Sequence, residues 1–154
     1  MHFDIQPVSP DARRAKPTDE STLGFGKIYS DHMFMMQWTP DSGWKEARVV
    51  PYQGLTLQPA ALVLHYGQTI FEGLKAYRNQ KGSVNLFRPA DNAARFARSA
   101  ARLDLPQVDT ETFIQACEAL VSLDHDWIPR SHGTSLYIRP TMIATEPYIG
   151  LKSA

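Results

Sequence analysis

The sequence predicts an α+β domain built on a mainly antiparallel sheet, and three observations lead there. Its strand-like runs come mostly in hairpins joined by tight turns, and two helical runs follow one another instead of alternating with strands. Its 154 residues, 43% of them hydrophobic, suit a single core.

Each element has a local cause. Residues 1–24 read as an extended arm, because Pro7, Pro10 and Pro17 interrupt any period. His32, Phe34, Met36 and Trp38 alternate with Met33, Met35 and Gln37, the pattern of a strand over 31–38 buried largely on both faces. Thr39-Pro40-Asp41-Ser42-Gly43 turns the chain into a second strand over 44–52. Pro59 is expected at a first helical position, opening a short helix over 60–66 that Gly67 closes. Strands over 73–78 and 84–88 flank the hairpin turn Asn79-Gln80-Lys81-Gly82.

A helix over 91–103 places Ala93, Phe96, Ala97, Ala100 and Leu103 at helical spacing. The next helix follows Asp109 as N-cap, with Phe113, Ala116, Cys117, Leu120 and Val121 on one stripe. After a loop over 124–133, a last strand over 135–145 is interrupted by Pro140, which cannot donate to a ladder.

Composition narrows the function classes. Sixteen basic residues balance sixteen acidic ones, so no global charge points to nucleic acid or a membrane surface, and no apolar run is long enough for a helical span. A single cysteine excludes an intramolecular disulfide framework, and no secretory or transit signal opens the chain; a reducing cytoplasm is the expected compartment. The five histidines show no metal-ligand spacing, so they read as structural and no metal is expected. Cys117, on a core stripe with no His or Lys to lower its pKa, reads as a packed thiol.

Charge is nevertheless uneven. From Glu72 to Arg102 there are seven basic residues and two acids, whereas Asp104 to Asp126 holds six acids and no Lys or Arg. Arg95, Arg98 and Arg102, at i, i+3 and i+7, share one side of the predicted helix. They form either a solvated face or an anion site in which guanidinium forks hold a phosphate or carboxylate. In Leu136-Tyr137-Ile138-Arg139-Pro140 a period of two puts Tyr137 and Arg139 on one face. An arginine in so apolar a strand needs a partner, either an internal acid such as Glu72 or Glu146 or the carboxylate of a ligand. Tyr66 is a further phenol near a chain reversal. Lys75, the only lysine inside an apolar strand, and Lys152, in a terminus with nothing to bury it, are the lysines weighed as imine formers, and neither is assigned that role.

Several segments, in order, carry a family resemblance: Phe25-Gly26-Lys27 before Asp31-His32-Met33, Leu64-His65-Tyr66-Gly67, Phe71-Glu72-Gly73-Leu74-Lys75-Ala76-Tyr77, Leu86-Phe87-Arg88-Pro89, Asn92-Ala93-Ala94-Arg95, Leu136-Tyr137-Ile138-Arg139-Pro140 and Glu146-Pro147-Tyr148-Ile149-Gly150-Leu151. Together they resemble the branched-chain amino-acid aminotransferases, fold-type IV enzymes dependent on pyridoxal 5′-phosphate (PLP). The resemblance implies a small domain over 25–146 and, over 147–154, the start of an interdomain loop. It implies transamination of leucine, isoleucine and valine with 2-oxoglutarate by a homodimer. Arg95 would contact the cofactor phosphate, and Tyr137 and Arg139 the substrate carboxylates. Phe25, Tyr66, Ile149, Gly150 and Leu151 would wall the substrate pocket, Tyr66 and the 149–151 loop serving the partner's.

The family's PLP-binding lysine belongs to a larger C-terminal domain, and Lys152 does not match it. This chain is therefore expected to be an N-terminal portion that carries no catalytic residue and is inactive alone. The alternatives are another fold-type IV transaminase, of the D-amino-acid or aminodeoxychorismate lyase type, and a non-catalytic anion-binding or interaction module.

Overall fold

In the computed structural model, which describes residues 2–150, the chain is α+β with three small, mainly antiparallel sheets. The arm contributes β1 (Asp4–Ile5), followed by 3₁₀ turns at Pro10–Ala12 and Glu20–Thr22. Strands β2 (His32–Thr39) and β3 (Gly43–Pro51) form the expected hairpin, with an irregular register between Met35 and Gln37, and β1 lies parallel to β3. β2 is only half-buried beyond His32, so the two-faced burial expected for it is not found.

Helix α1 (Leu62–Tyr66) is shorter than expected. Pro59 lies in the turn before it rather than at its first position, and Ala61 bridges Pro147. Gly67 ends α1 in the left-handed region with φ +63°, as its spacing indicates. Strands β4 (Thr69–Phe71), β5 (Leu74–Arg78) and β6 (Val84–Leu86) follow. β6 stops two residues before the expected end, since Arg88 turns left-handed (φ 48°) and Pro89 opens α2 (Pro89–Arg102).

Helix α3 (Thr110–Leu123) has its Asp109 cap, whose carboxylate accepts from the Thr112 N–H at 2.8 Å. The last expected strand is two strands, β7 (Leu136–Ile138) and β8 (Thr141–Ile143), separated at Pro140.

One core joins Leu62, Leu74, Ala93, Phe96, Phe113, Val121, Ile138 and Met142, with the Phe96 and Phe113 rings 5.6 Å apart. Leu103, exposed at the end of α2, leaves this stripe, and Ala97, Ala116 and Leu120 lie at its margin. The arm is fastened to the body. The Val8 N–H donates to His32 Nε2 (2.9 Å), which leaves Nδ1 to donate to the buried Asp124 (2.6 Å). Asp31 accepts from the Arg14 N–H and the Trp127 indole. His32 is thus structural, as expected of the histidines.

Candidate functional site

A two-stranded ribbon carries most of the residues singled out in the sequence. β4 pairs with β8 (Ile70 opposite Met142) and β5 with β7 (Leu74 opposite Ile138), in one unchanged register. The ladder breaks where Glu72-Gly73 faces Arg139-Pro140. The Glu72 N–H still donates to the Pro140 carbonyl at 2.9 Å, but proline returns no N–H. Side-chain alternation runs through the break: Ile70, Glu72, Leu74 and Ala76 are buried, while Thr69, Phe71, Lys75 and Tyr77 are exposed.

Glu72 is therefore the one acid on the inward side of β4–β5, which the half-buried Arg78 shares at the far end of β5, and its side chain is 6% exposed. α2 supplies its partner. Arg95 forks onto the carboxylate, Nε donating to Oε2 and Nη2 to Oε1, both at 2.7 Å, and the Gly73 N–H adds a third bond to Oε1 at 2.7 Å. Burial pushes the Glu72 carboxyl up, but the Arg95 and Gly73 hydrogen bonds outweigh it and hold the group below the ordinary carboxylate range. The same contact raises Arg95 further above its usual value. Two of five guanidinium N–H groups are engaged this way; the rest belong to a side chain 60% exposed. Asn92, one turn earlier, donates to the Gly73 carbonyl at 3.1 Å.

Arg98 and Arg102 share Arg95's side of the helix, as their spacing requires. With Ser99, Leu103 and Ile70 the three arginines line an open hollow of about 410 Å³. Among the described residues neither Arg98 nor Arg102 forms an ion pair.

On the outer face the ribbon gathers Phe25, Phe71, Tyr137 and Arg139. A Cβ at Gly73 would lie 1.9 Å from the Tyr137 hydroxyl oxygen, so only glycine lets the phenol lie over that position. The Phe25 ring meets Tyr137 edge-on at 5.0 Å. The Arg139 guanidinium lies 4.4 Å from the Phe71 ring centre and 5.2 Å from that of Tyr137, and its Nη2 donates to the Tyr137 hydroxyl at 3.3 Å. It makes no ion pair among the described residues. Glu72 is thus not the partner of Arg139: it lies on the opposite face and is engaged by Arg95.

The remaining expected site residues are less gathered. Tyr66 is exposed at the end of α1, its ring 6.3 Å from that of His65. Ile149 is 69% exposed, and the Tyr148 ring occupies the space beside Gly150 that a Cβ would need. Leu151 and Lys152 lie outside the described residues. Glu72, Gly73, Asn92 and Phe71 were not among the expected site residues. The signal for Glu72 was present, a lone acid at the period-two position between Ile70 and Leu74.

The rest of the described chain offers no other centre. No group of three metal-ligating side chains occurs among the described residues, and no described lysine is buried. Burial pushes the Cys117 thiol up to about 12, the state of an inert core residue.

No family model matches the chain. It is 49% identical over 142 residues to branched-chain-amino-acid aminotransferase 2 of Bacillus subtilis, covering 92% of this chain and 39% of that protein. The branched-chain-amino-acid aminotransferase of Mycolicibacterium smegmatis is 52% identical over 84% of the chain and 35% of its own length. The rat cytosolic protein of that name is 44% identical over 97% and 36%. Among solved structures, the branched-chain aminotransferase of Thermoproteus uzoniensis, with norvaline, superimposes with a TM-score of 0.56 at 29% identity, over 68% of this chain and 33% of that one. A second solved branched-chain amino acid aminotransferase, complexed with N-(5′-phosphopyridoxyl)-L-glutamate, gives 0.54 at 28% identity, over 66% and 32%. The chain thus spans about two fifths of the length of the curated relatives it matches.

Proposed function

From the branched-chain amino-acid aminotransferases, with which this chain belongs along nearly all of its own length, we propose that it supplies the anion-holding side of an active site for leucine, isoleucine and valine. Residues 25–146 act as the small domain, and residues 147–154 lead toward the rest of the enzyme. The Arg95 donors left over from Glu72 fit a phosphate ester, which accepts several N–H bonds at once. That is the part PLP needs from this chain. When bound, PLP supplies the electron sink through which an amino group passes between amino and oxo acids.

The observation that carries the reading is Arg139, a guanidinium seated against aromatic faces without a counter-charge among the described residues. Beside the Tyr137 hydroxyl it offers a fork to the side-chain carboxylate of glutamate or 2-oxoglutarate. Phe25, Tyr66, Ile149, Gly150 and Leu151 give apolar walls for a branched side chain, Tyr66 and 149–151 reaching the partner's pocket in a homodimer. A pocket that takes both substrate classes needs such walls around one anion contact. No helix of the described chain is long and apolar enough to cross a membrane, and the proposed setting is the cytoplasm. The relatives' names weigh against a D-amino-acid transaminase, a lyase or a non-catalytic module.

Two experiments test this. The 154-residue chain, mixed with PLP, leucine and 2-oxoglutarate, is expected to form no branched oxo acid, because none of its described lysines is desolvated; conversion would overturn the assignment. In the active enzyme, Arg139→Ala is expected to weaken use of glutamate about tenfold or more relative to leucine. Equal loss for both substrates removes the carboxylate role.

A further inference from the structure

Arginine on a helix surface ordinarily samples many rotamers, and Arg98 and Arg102, on the same side of α2, form no ion pair among the described residues. Arg95 differs from them in one respect, its fork onto a buried carboxylate. That carboxylate is itself fixed. Oε1 accepts from the next residue's N–H, the carbonyl of that residue accepts from Asn92, and the Glu72 N–H is anchored on Pro140. A carboxylate bound on both oxygens orients the guanidinium plane and leaves one edge of it facing out.

We propose that Glu72 is a positioning residue: by clamping the inner edge of Arg95 it presents the outer edge to an anion, and so makes Arg95, rather than Arg98 or Arg102, the phosphate contact. The proposal rests on the reading of Arg95 given above and adds the residue that acts through it. Its electrostatics cut against it in an informative way. A glutamate beside an anion site weakens anion binding by charge alone, so a Glu72 that merely balanced charge would bind anions better once neutralised. A Glu72 that positions would bind them worse.

The test uses the 154-residue chain and sulfate, a tetrahedral dianion, with the arginine Nε–H signals followed by NMR. In the unaltered chain the Arg95 signal is expected to be protected from exchange and to move with sulfate ahead of those of Arg98 and Arg102. In Glu72→Gln the amide NH₂ confronts the guanidinium donors. The protection is expected to vanish and the sulfate affinity at Arg95 to fall about fivefold or more. Unchanged or tighter binding in a folded Glu72→Gln chain overturns the positioning role alone. An Arg95 signal that ignores sulfate in the unaltered chain overturns the phosphate reading itself. Should Glu72→Gln fail to fold, Glu72→Asp decides: aspartate keeps the charge but is one methylene too short for the two-point fork, so sulfate binding as tight as in the unaltered chain refutes the proposal and a fivefold loss supports it.

Discussion

On the buried face of the ribbon Arg95 reaches a carboxylate that is 6% exposed and holds it on both oxygens, whereas on the outer face Arg139 rests against the Phe71 and Tyr137 rings without a carboxylate among the described residues. Only the break at Glu72-Gly73 and Arg139-Pro140 separates the two. The first arrangement sets a direction, because a two-point fork tolerates little rotation. The second sets a place but leaves the charge unanswered, since an exposed cation–π contact is worth only about 0.5–1 kcal/mol. A fixed arginine suits a group that stays, such as a cofactor phosphate. An uncommitted one suits a carboxylate present in one substrate and absent from the next.

The largest effect should come from joining the two faces by force. Gly73→Ala places a methyl 1.9 Å from the Tyr137 hydroxyl oxygen, and urea unfolding should show a loss of about 1–3 kcal/mol as the phenol is displaced. Unchanged stability with Tyr137 still against Phe25 would contradict the packing described. Asp109→Ala, which removes the α3 cap far from the break in sequence, serves as the control. It should cost about 1 kcal/mol by the same measurement while leaving the Arg95 and Arg139 signals in place.

Acid separates the faces more gently. The Glu72 carboxyl titrates below its ordinary range in the fold, so its stabilisation is complete above the ordinary carboxylate value and is lost as pH falls through the depressed one. Melting temperature followed against pH should therefore drop on the acid side, and Arg95→Ala should flatten that drop. An identical acid limb in the variant would mean that Arg95 does not hold the carboxylate. Smallest of all, Arg139→Ala should leave stability within about 0.5 kcal/mol, because little that is buried depends on it. A larger loss would make Arg139 a structural residue.

Much of this architecture was legible in the sequence because its signals are local. The Asp109 cap, the left-handed Gly67 and the ladder-breaking Pro140 each follow from one residue's own chemistry, and the β2–β3 hairpin from an alternating run and the five-residue turn after it. β1 and β4 were not anticipated. β1 is two residues long and β4 three, and both exist through pairing with distant strands rather than through a pattern of their own. For the site, the Arg95 stripe and the Tyr137/Arg139 face were readable from periodicity. Which acid met which arginine was not, because Glu72 and Arg95 are joined across 23 positions by the packing of α2. That packing puts Glu72 on Arg95 and leaves Arg139 to the aromatic rings.

Titration of the 154-residue chain with pyridoxamine 5′-phosphate, which carries the phosphate but no aldehyde to react with lysines, bears most directly on the central claim. Saturable binding is predicted that moves the Arg95 Nε–H signal ahead of those of Arg98 and Arg102 and is lost in Arg95→Ala. Binding that persists in Arg95→Ala, or that moves Arg98 and Arg102 while Arg95 stays still, would contradict it.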